Sequence, residues 1–424
     1  MENENNYLQE QKQKKRRLPM QYRFLSGMVA GMVLALLVVG LGIVIGIRHA
    51  GEENKNTNSG ISFIPDAAVS PELISKLQAL EITIDRFFYL DKKSGEELRE
   101  GICKGMLEAL DDPYTEYYTP DELTELINQV SGIYYGIGAY VSMDQEVSLP
   151  KISGIISNTP AEEAGLRKND LIYQVGEVST YGLSLDEAVS YIRGDEGTEV
   201  VLTIIREGES DYLEVPVTRR RVESPTVEYE MMEDGIGYIQ IAEFDEVTPD
   251  QFADALATLR GSGMEKLIID LRGNPGGSLT DVVDIAGMLL PEGLIVYTED
   301  KAGNKQEYFS DGTKQLDIPL AVLVDGNSAS ASEILAGAIQ DYGAGKLVGT
   351  TTFGKGIVQQ LIPFKDGSAV KITVSSYFTP KGRNIHGIGI EPDVVCEFDG
   401  KAYYSSEEHP DNQLEKAKEV LNNE

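Results

Sequence analysis

Leu320-Ala321-Val322-Leu323-Val324-Asp325-Gly326-Asn327-Ser328-Ala329-Ser330-Ala331-Ser332-Glu333 passes from an unbroken apolar run to alternating serines and alanines. Ile334, Leu335, Ala338 and Ile339 follow at helical spacing. An apolar run of this length with no polar alternation predicts a buried strand. The segment therefore reads as a strand, a tight turn and a helix. A hydroxyl at that turn sits at the positive end of a helix dipole, beside backbone amides with no partner in the helix. A nucleophilic serine and an oxyanion hole can be built together there. The residues alone do not choose among Ser328, Ser330 and Ser332. Ser330-x-x-Glu333 also has the form of a capping box.

Outward from this turn, residues 220–400 alternate strands and helices. Strand Gly237–Ile241 precedes a helix over 249–259. Strand Leu267–Leu271 precedes Arg272-Gly273-Asn274-Pro275-Gly276-Gly277 and a helix over 280–290. Further strands are predicted near Val348 and over 357–362 and 369–378. This alternation predicts a mixed α/β core. The glycine turn lacks the Lys-Ser/Thr end of a phosphate loop, so it reads as a tight turn exposing backbone amides. Gly354-Lys355-Gly356 places a lysine between glycines, which would let the backbone approach a substrate closely.

Upstream, residues 71–125 read as a helical region. Leu73, Leu77 and Leu80, then Leu98, Ile102, Met106 and Leu110, keep helical spacing up to a break at Asp111-Asp112-Pro113. This layer is a candidate for packing or homodimerisation. Farther upstream, Phe24–Ile47 holds no charged residue. As a helix it would span roughly 36 Å, enough to cross a bilayer. The basic run Lys12–Arg17 and Arg23 lie on its N-terminal side, which predicts a cytoplasmic tail 1–23, an anchor 24–47 and a body outside the cytoplasm. The apolar part is too long for a cleaved signal peptide, and Arg48-His49-Ala50 is no cleavage site. The polar residues 48–70 read as a stalk, and 401–424 as a polar tail holding at most a short helix.

The composition narrows the chemistry. The chain of 424 residues carries a net charge of −32. Seven of its 37 Lys/Arg and three of its 69 Asp/Glu precede residue 51, leaving 30 against 66 and a net of −36 for the rest. Such a body repels nucleic acid and anionic lipid. Cys103 and Cys396 read as unpaired core thiols. Three histidines, His49, His386 and His409, do not make a structural metal site among themselves. The expectation is chemistry with no metal and no cofactor.

Residues 126–219 carry a second recognisable pattern. Tyr134-Tyr135-Gly136-Ile137-Gly138-Ala139-Tyr140-Val141 is similar to the carboxylate-binding loop and following strand of PDZ domains. Thr159-Pro160-Ala161-Glu162-Glu163-Ala164-Gly165-Leu166-Arg167-Lys168-Asn169-Asp170-Leu171-Ile172 resembles a second PDZ signature, departing at Asn169 where glycine is usual. Gly136, Ile137 and Gly138 would present amides to a terminal carboxylate, while the strand edge adds the peptide as an extra strand. Arg193, on the helix 185–193, reads as a solvated charge, with anion binding as the alternative.

The PDZ-like module, the LRGNPGG turn, the SASASE segment and FGKGIVQ, in this order, resemble the carboxyl-terminal processing (tail-specific) proteases. The resemblance covers about 330 residues. It implies Ser330 as nucleophile, Lys355 as general base, Gln359 as the residue orienting that lysine, and the amides of Gly276 and Ala331 as the oxyanion hole. It implies an α/β protease core with an inserted PDZ domain, acting on proteins with exposed C-termini, and a PDZ movement that opens and closes the cleft. Lysine would have to act neutral. Bringing its pKa from about 10.4 to near 7 takes roughly 4 kcal/mol. Desolvation is the available cause, so Lys355 is expected to be buried and free of carboxylate contact. The rivals are a silent PDZ scaffold and a Ser–His hydrolase using His386.

Overall fold

The computed structural model describes residues 68–423. The predicted tail 1–23, the predicted span 24–47 and nearly all of the stalk 48–70 lie outside the described residues. Among the described residues no helix is long and apolar enough to cross a membrane. Two compact units divide between Lys92 and Lys93. In the first, the helix Pro71–Phe87 opens on Ser70, whose Oγ accepts a hydrogen bond from Leu73 N–H at 3.3 Å, with proline in the first turn.

The second unit opens with the helix Gly95–Glu108, capped by Ser94 and Glu97 in a reciprocal box. The predicted break at 111–115 is present, but the region does not stay helical. Glu116–Tyr118 is a strand, paired antiparallel with Ala369–Phe378 through Tyr117 and Val370. The helix Pro120–Ser131 then ends at Gly132, whose φ of 62° makes a left-handed cap. Cys103 is exposed rather than in a core, and both cysteines are free. Its helix buries no residue, so apolar helical spacing there does not mark an interior face.

The core is a six-stranded sheet in the order Val227–Met231, Ile236–Ile241, Lys266–Asp270, Leu320–Val324, Lys346–Gly349, Val394–Val395. The first pair is antiparallel and every later pair is parallel. All five residues of Leu320–Val324 are buried, as its unbroken apolar run predicts; its parallel pairing on both sides is what the structure adds. Leu320, Val322 and Val324, with Leu267 and Ile269, face the helices Thr248–Gly261, Leu279–Gly287 and Ala331–Tyr342. Ala321, Leu323 and Ile268 face the opposite way. That second face is covered by the helix Asn412–Asn422, which inserts Ala417 and Leu421. The segment expected to be a polar tail is thus part of the core.

A second, antiparallel sheet joins Glu116–Tyr118, Ala369–Phe378, Gly293–Asp300 and Lys305–Ser310, with Ile357–Pro363 also paired to Ala369–Phe378. The strands 293–300 and 305–310 had no counterpart in the sequence reading. The PDZ-like region is a separate sheet of Ala139–Asp144, Leu149–Ile155, Leu171–Val175, Glu199–Ile205 and Leu213–Thr218, with its own core around Ile152, Ile172, Leu202 and Ile204. Its connections to the protease core run side by side, because Ile133–Gly136 pairs antiparallel with Arg220–Glu223.

Candidate active site

Four adjacent parallel strands release their C-terminal loops at one edge of the core sheet. Ile236–Ile241 leads to the turn 242–247, Lys266–Asp270 to the glycine turn, Leu320–Val324 to the serine turn and Lys346–Gly349 to the loop 350–356. In open parallel sheets this edge is where ligands bind, because the connections splay there. A cleft of about 740 Å³ opens at this edge and holds Ser330, Ala331, Lys355 and Gln359.

The fold separates the three serines. Ser328 has no exposed surface, and its Oγ donates to Leu271 O at 2.8 Å. Ser332 is equally buried and donates to Asn274 O at 3.1 Å. Both tie the serine turn to the glycine turn. Ser330 alone lines the cleft. It sits at the helix mouth with φ 54° and ψ −112°, a conformation a non-glycine residue adopts only when its surroundings impose it. This is the sharp strand-to-helix turn that pushes a serine side chain out of the sheet edge. Its Oγ makes no side-chain cap bond, while Tyr377 Oη donates to Ser330 O at 3.1 Å.

Glu333 fixes this turn to the lysine loop. Its fully buried carboxylate accepts from Ser330 N–H at 2.9 Å, Thr352 Oγ1 at 2.6 Å, Gly354 N–H at 2.7 Å and Lys355 N–H at 2.8 Å. Four donors meet a charge that water does not reach, and charge-assisted bonds of this kind are the strong ones. The capping role anticipated for Glu333 is therefore only part of what it does.

Lys355 is half-buried and touches no carboxylate within ion-pair distance among the described residues; its Nζ lies 4.4 Å from the centre of the Tyr114 ring. Burial holds its pKa below the usual lysine value, and the positive charge of Lys371 adds to this. Asp112, Glu116 and Glu333 pull the other way, as does the Tyr114 face, which favours the ammonium. No hydrogen bond joins Ser330 Oγ to Lys355 Nζ in this conformation. The flanking glycines serve a different purpose from the one expected. A Cβ on Gly354 would stand 2.9 Å from Gly389 N, and one on Gly356 would stand 2.7 Å from His386 N. The close backbone approach is made by the chain's own segment 386–389.

Gln359 lines the same cleft but donates to Thr373 Oγ1 at 3.1 Å, which in turn donates to Asp112 Oδ2 at 2.7 Å. It makes no hydrogen bond with Lys355. Gly276 packs against the serine turn, since a Cβ there would meet Ser330 Cβ at 2.7 Å and Ala331 N at 3.0 Å. Its N–H is already given to Asn274 Oδ1 at 2.8 Å. Ala331 N–H, at the first position of its helix, has no partner in the helix. His386 is exposed and does not line the cleft. Among the described residues no group of His, Cys, Asp and Glu is placed to hold a metal ion.

Comparison with known proteins agrees with this layout. Residues 235–396 match the model of peptidase family S41, and residues 151–206 match a PDZ domain. A carboxyl-terminal-processing protease of Synechocystis sp. is 38% identical over 296 residues, covering 69% of this chain and 69% of that protein. The chain belongs to the carboxyl-terminal-processing proteases of family S41. It is a serine-type peptidase with a PDZ domain. A probable CtpA-like serine protease of Staphylococcus aureus is 37% identical over 312 residues, 73% of this chain and 62% of that one, so over a third of that relative lies beyond the match. A solved photosystem II D1 C-terminal processing protease is 30% identical, covering 78% of this chain and 94% of that one, with a TM-score of 0.44.

In this S41 peptidase Gly136, Ile137 and Gly138 border a PDZ groove of about 430 Å³ together with Val189, Ile192 and Arg193. The carbonyls of Ile137 and Gly138 are taken by Ala161 and Ile156 N–H at 2.7 and 3.0 Å. Arg193 lies over the Tyr134 ring at 5.6 Å. Sequence reasoning missed Tyr114, Asp112, Lys371, Tyr377 and Asp245. Each arrives from a segment remote in sequence and carries no local motif. The break at 111–115 and the strand 369–378 were visible, but not that they meet at Lys355.

Proposed function

We propose that this S41 peptidase is a membrane-anchored endopeptidase that takes up protein C-termini in its PDZ groove and cleaves them through a Ser330–Lys355 dyad. Neutral Lys355 Nζ accepts the Ser330 hydroxyl proton while Oγ attacks the scissile carbonyl carbon. Ala331 N–H stabilises the resulting oxyanion, with Gly276 N–H once Asn274 Oδ1 shares or releases it. The lysine ammonium then protonates the leaving amine, an acyl-enzyme forms, and water deprotonated by Lys355 releases Ser330. Gln359, bonded to Thr373 at rest, is assigned to orient the lysine once it has left the Tyr114 face. The observation that carries this reading is that Ser330 alone of the three serines faces the cleft, from a strained helix mouth, opposite a lysine whose proton is loosened by burial.

Oγ and Nζ share no hydrogen bond at rest, so Lys355 leaves the Tyr114 face before it acts. A PDZ movement on substrate binding is the step we assign to that change. Segment 24–47 serves as the anchor, with the body outside the cytoplasm. Exposed Ile102, Met106 and Leu110 accord with a homodimer through 71–125.

The test uses the full chain in detergent micelles with unfolded protein as substrate. Ser330→Ala and Lys355→Ala are expected to lose cleavage by about 10³-fold or more, whereas His386→Gln keeps it. Full activity of Ser330→Ala, or loss in His386→Gln, overturns the assignment. Placement is read from protease accessibility: added protease is expected to reach the body of intact cells and not the N-terminal tail.

A further inference from the structure

The groups around Ser330 account for bond breaking, yet one carboxylate oxygen at the same edge has no hydrogen-bond donor. Asp245 lies in the turn after Ile236–Ile241 and lines the cleft. It is 5% exposed, and its Oδ2 is the one buried side-chain oxygen or nitrogen among the described residues with no hydrogen-bond partner. The backbone holds it firmly: Asp245 N–H donates to Thr248 Oγ1, and Thr248 N–H donates back to Asp245 O, both at 2.9 Å. An uncompensated buried carboxylate is costly, and proteins keep one where a ligand supplies the missing charge. Gly132 packs directly against it, from the side of the preceding helix. A Cβ there would stand 3.1 Å from Asp245 Oδ2 and 2.8 Å from Val247 Cγ2.

The charge around it is one-sided. Glu246, on the same turn, and Asp281, in the first turn of Leu279–Gly287, line the cleft with Asp245. Lys355 and Lys371 line it too, but Lys371 is paired with Glu116 and Lys355 lies against Tyr114. We propose that Asp245 and Asp281 form a subsite for the cationic side chain of a lysine or arginine in the substrate segment that lies across Ser330. The inference rests on the proteolytic reading above and adds to it a charge preference beside the scissile bond. Apolar Leu279, Ile334 and Ile357 in the same cleft take the neighbouring uncharged side chains.

The preference depends on pH. Burial, then the negative charge of Glu243, pushes the Asp245 carboxyl up to about 7. Burial also raises Asp281. The charged groups that act on Asp245 are Glu243 from its own turn and Asp281 from the next helix, while Glu246 and Asp284 act on Asp281; Lys355 and Lys371 line the same cleft. A protonated carboxyl offers a cation little, so selectivity for the cation strengthens as pH rises through about 7.

The test uses peptide pairs that differ only by lysine or norleucine at single positions flanking the cleaved bond. Turnover is measured with the full chain, and binding with its Ser330→Ala variant by fluorescence anisotropy. The lysine peptide is expected to be favoured about tenfold or more at pH 8 at one of these positions, less at pH 6. Asp245→Asn and Asp281→Asn are expected to bring the ratio near one, while Asp254→Asn, exposed and outside the cleft, keeps it. Asp281→Asn carries the comparison if Asp245→Asn does not fold. Cleavage of both peptides without preference, or a preference that survives Asp245→Asn and Asp281→Asn, overturns the subsite and leaves the protease reading standing. Charge-selective binding without cleavage keeps the subsite and overturns the protease reading.

Discussion

A single carboxylate, that of Glu333, sets the distance between the two halves of the site. It bonds the backbone of Ser330 on one side and of Gly354 and Lys355 on the other. In Glu333→Gln one acceptor oxygen becomes an amide NH2, a donor facing backbone N–H donors that have nowhere else to go. We expect kcat to fall at least about 10²-fold, and urea unfolding to show a stability loss of about 2–4 kcal/mol. Unchanged kcat would place the carboxylate outside the catalytic geometry. A second expectation concerns pH. Lys371 helps hold the Lys355 pKa below its usual value and is itself paired with Glu116. In Lys371→Met that repulsion is gone and Glu116 is freed, and both changes raise the Lys355 pKa. Less free amine is then present at any given pH, so the rising limb of kcat/KM against pH moves to higher pH. A limb that stays put or moves down counts against Lys355 as the titrating base. The linkage has a definite sign. With the folded pKa below the unfolded one, the unfolded chain holds more protons between the two, and this group's contribution to stability rises with pH across that window.

At the scale of elements, the helix Asn412–Asn422 is the clearest case for mutation. Leu421 is fully buried against the sheet face opposite the site. Leu421→Ala is expected to cost about 2–5 kcal/mol in urea unfolding, with normal kcat in the fraction still folded. This helix also shows why some elements were legible in the sequence and others were not. Leu320–Val324 announced itself because both faces are covered, so every position is apolar. Asn412–Asn422 packs through Leu414, Ala417, Val420 and Leu421, a short apolar stripe set among charged and amide residues that reads as a polar tail by composition. Lys305–Ser310 is an edge strand with one buried residue and shows no clean alternation. The choice among three serines was illegible for another reason. They are chemically alike, and what distinguishes them is which carbonyl each hydroxyl reaches and which backbone is twisted to φ 54°.

For the whole molecule, the PDZ groove and the cleft belong to bodies with separate cores. If the groove holds a terminal carboxylate, a peptide with a free C-terminus is cut faster than its C-terminal amide, by about tenfold on the strength of a charge-assisted bond. Excision of residues 133–223, rejoined by a short glycine linker, is expected to erase that difference. Equal kcat/KM for acid and amide in the intact chain would remove tail recognition from the groove. The ribbon of Ile133–Gly136 and Arg220–Glu223 is what makes such an excision feasible. Outgoing and returning strands are hydrogen-bonded neighbours, so the gap left behind is one strand spacing wide, about 5 Å. The protease scaffold can thus lose this module, or receive another in its place, without rerouting a strand of its own two sheets: the module is a cartridge on a two-stranded stem.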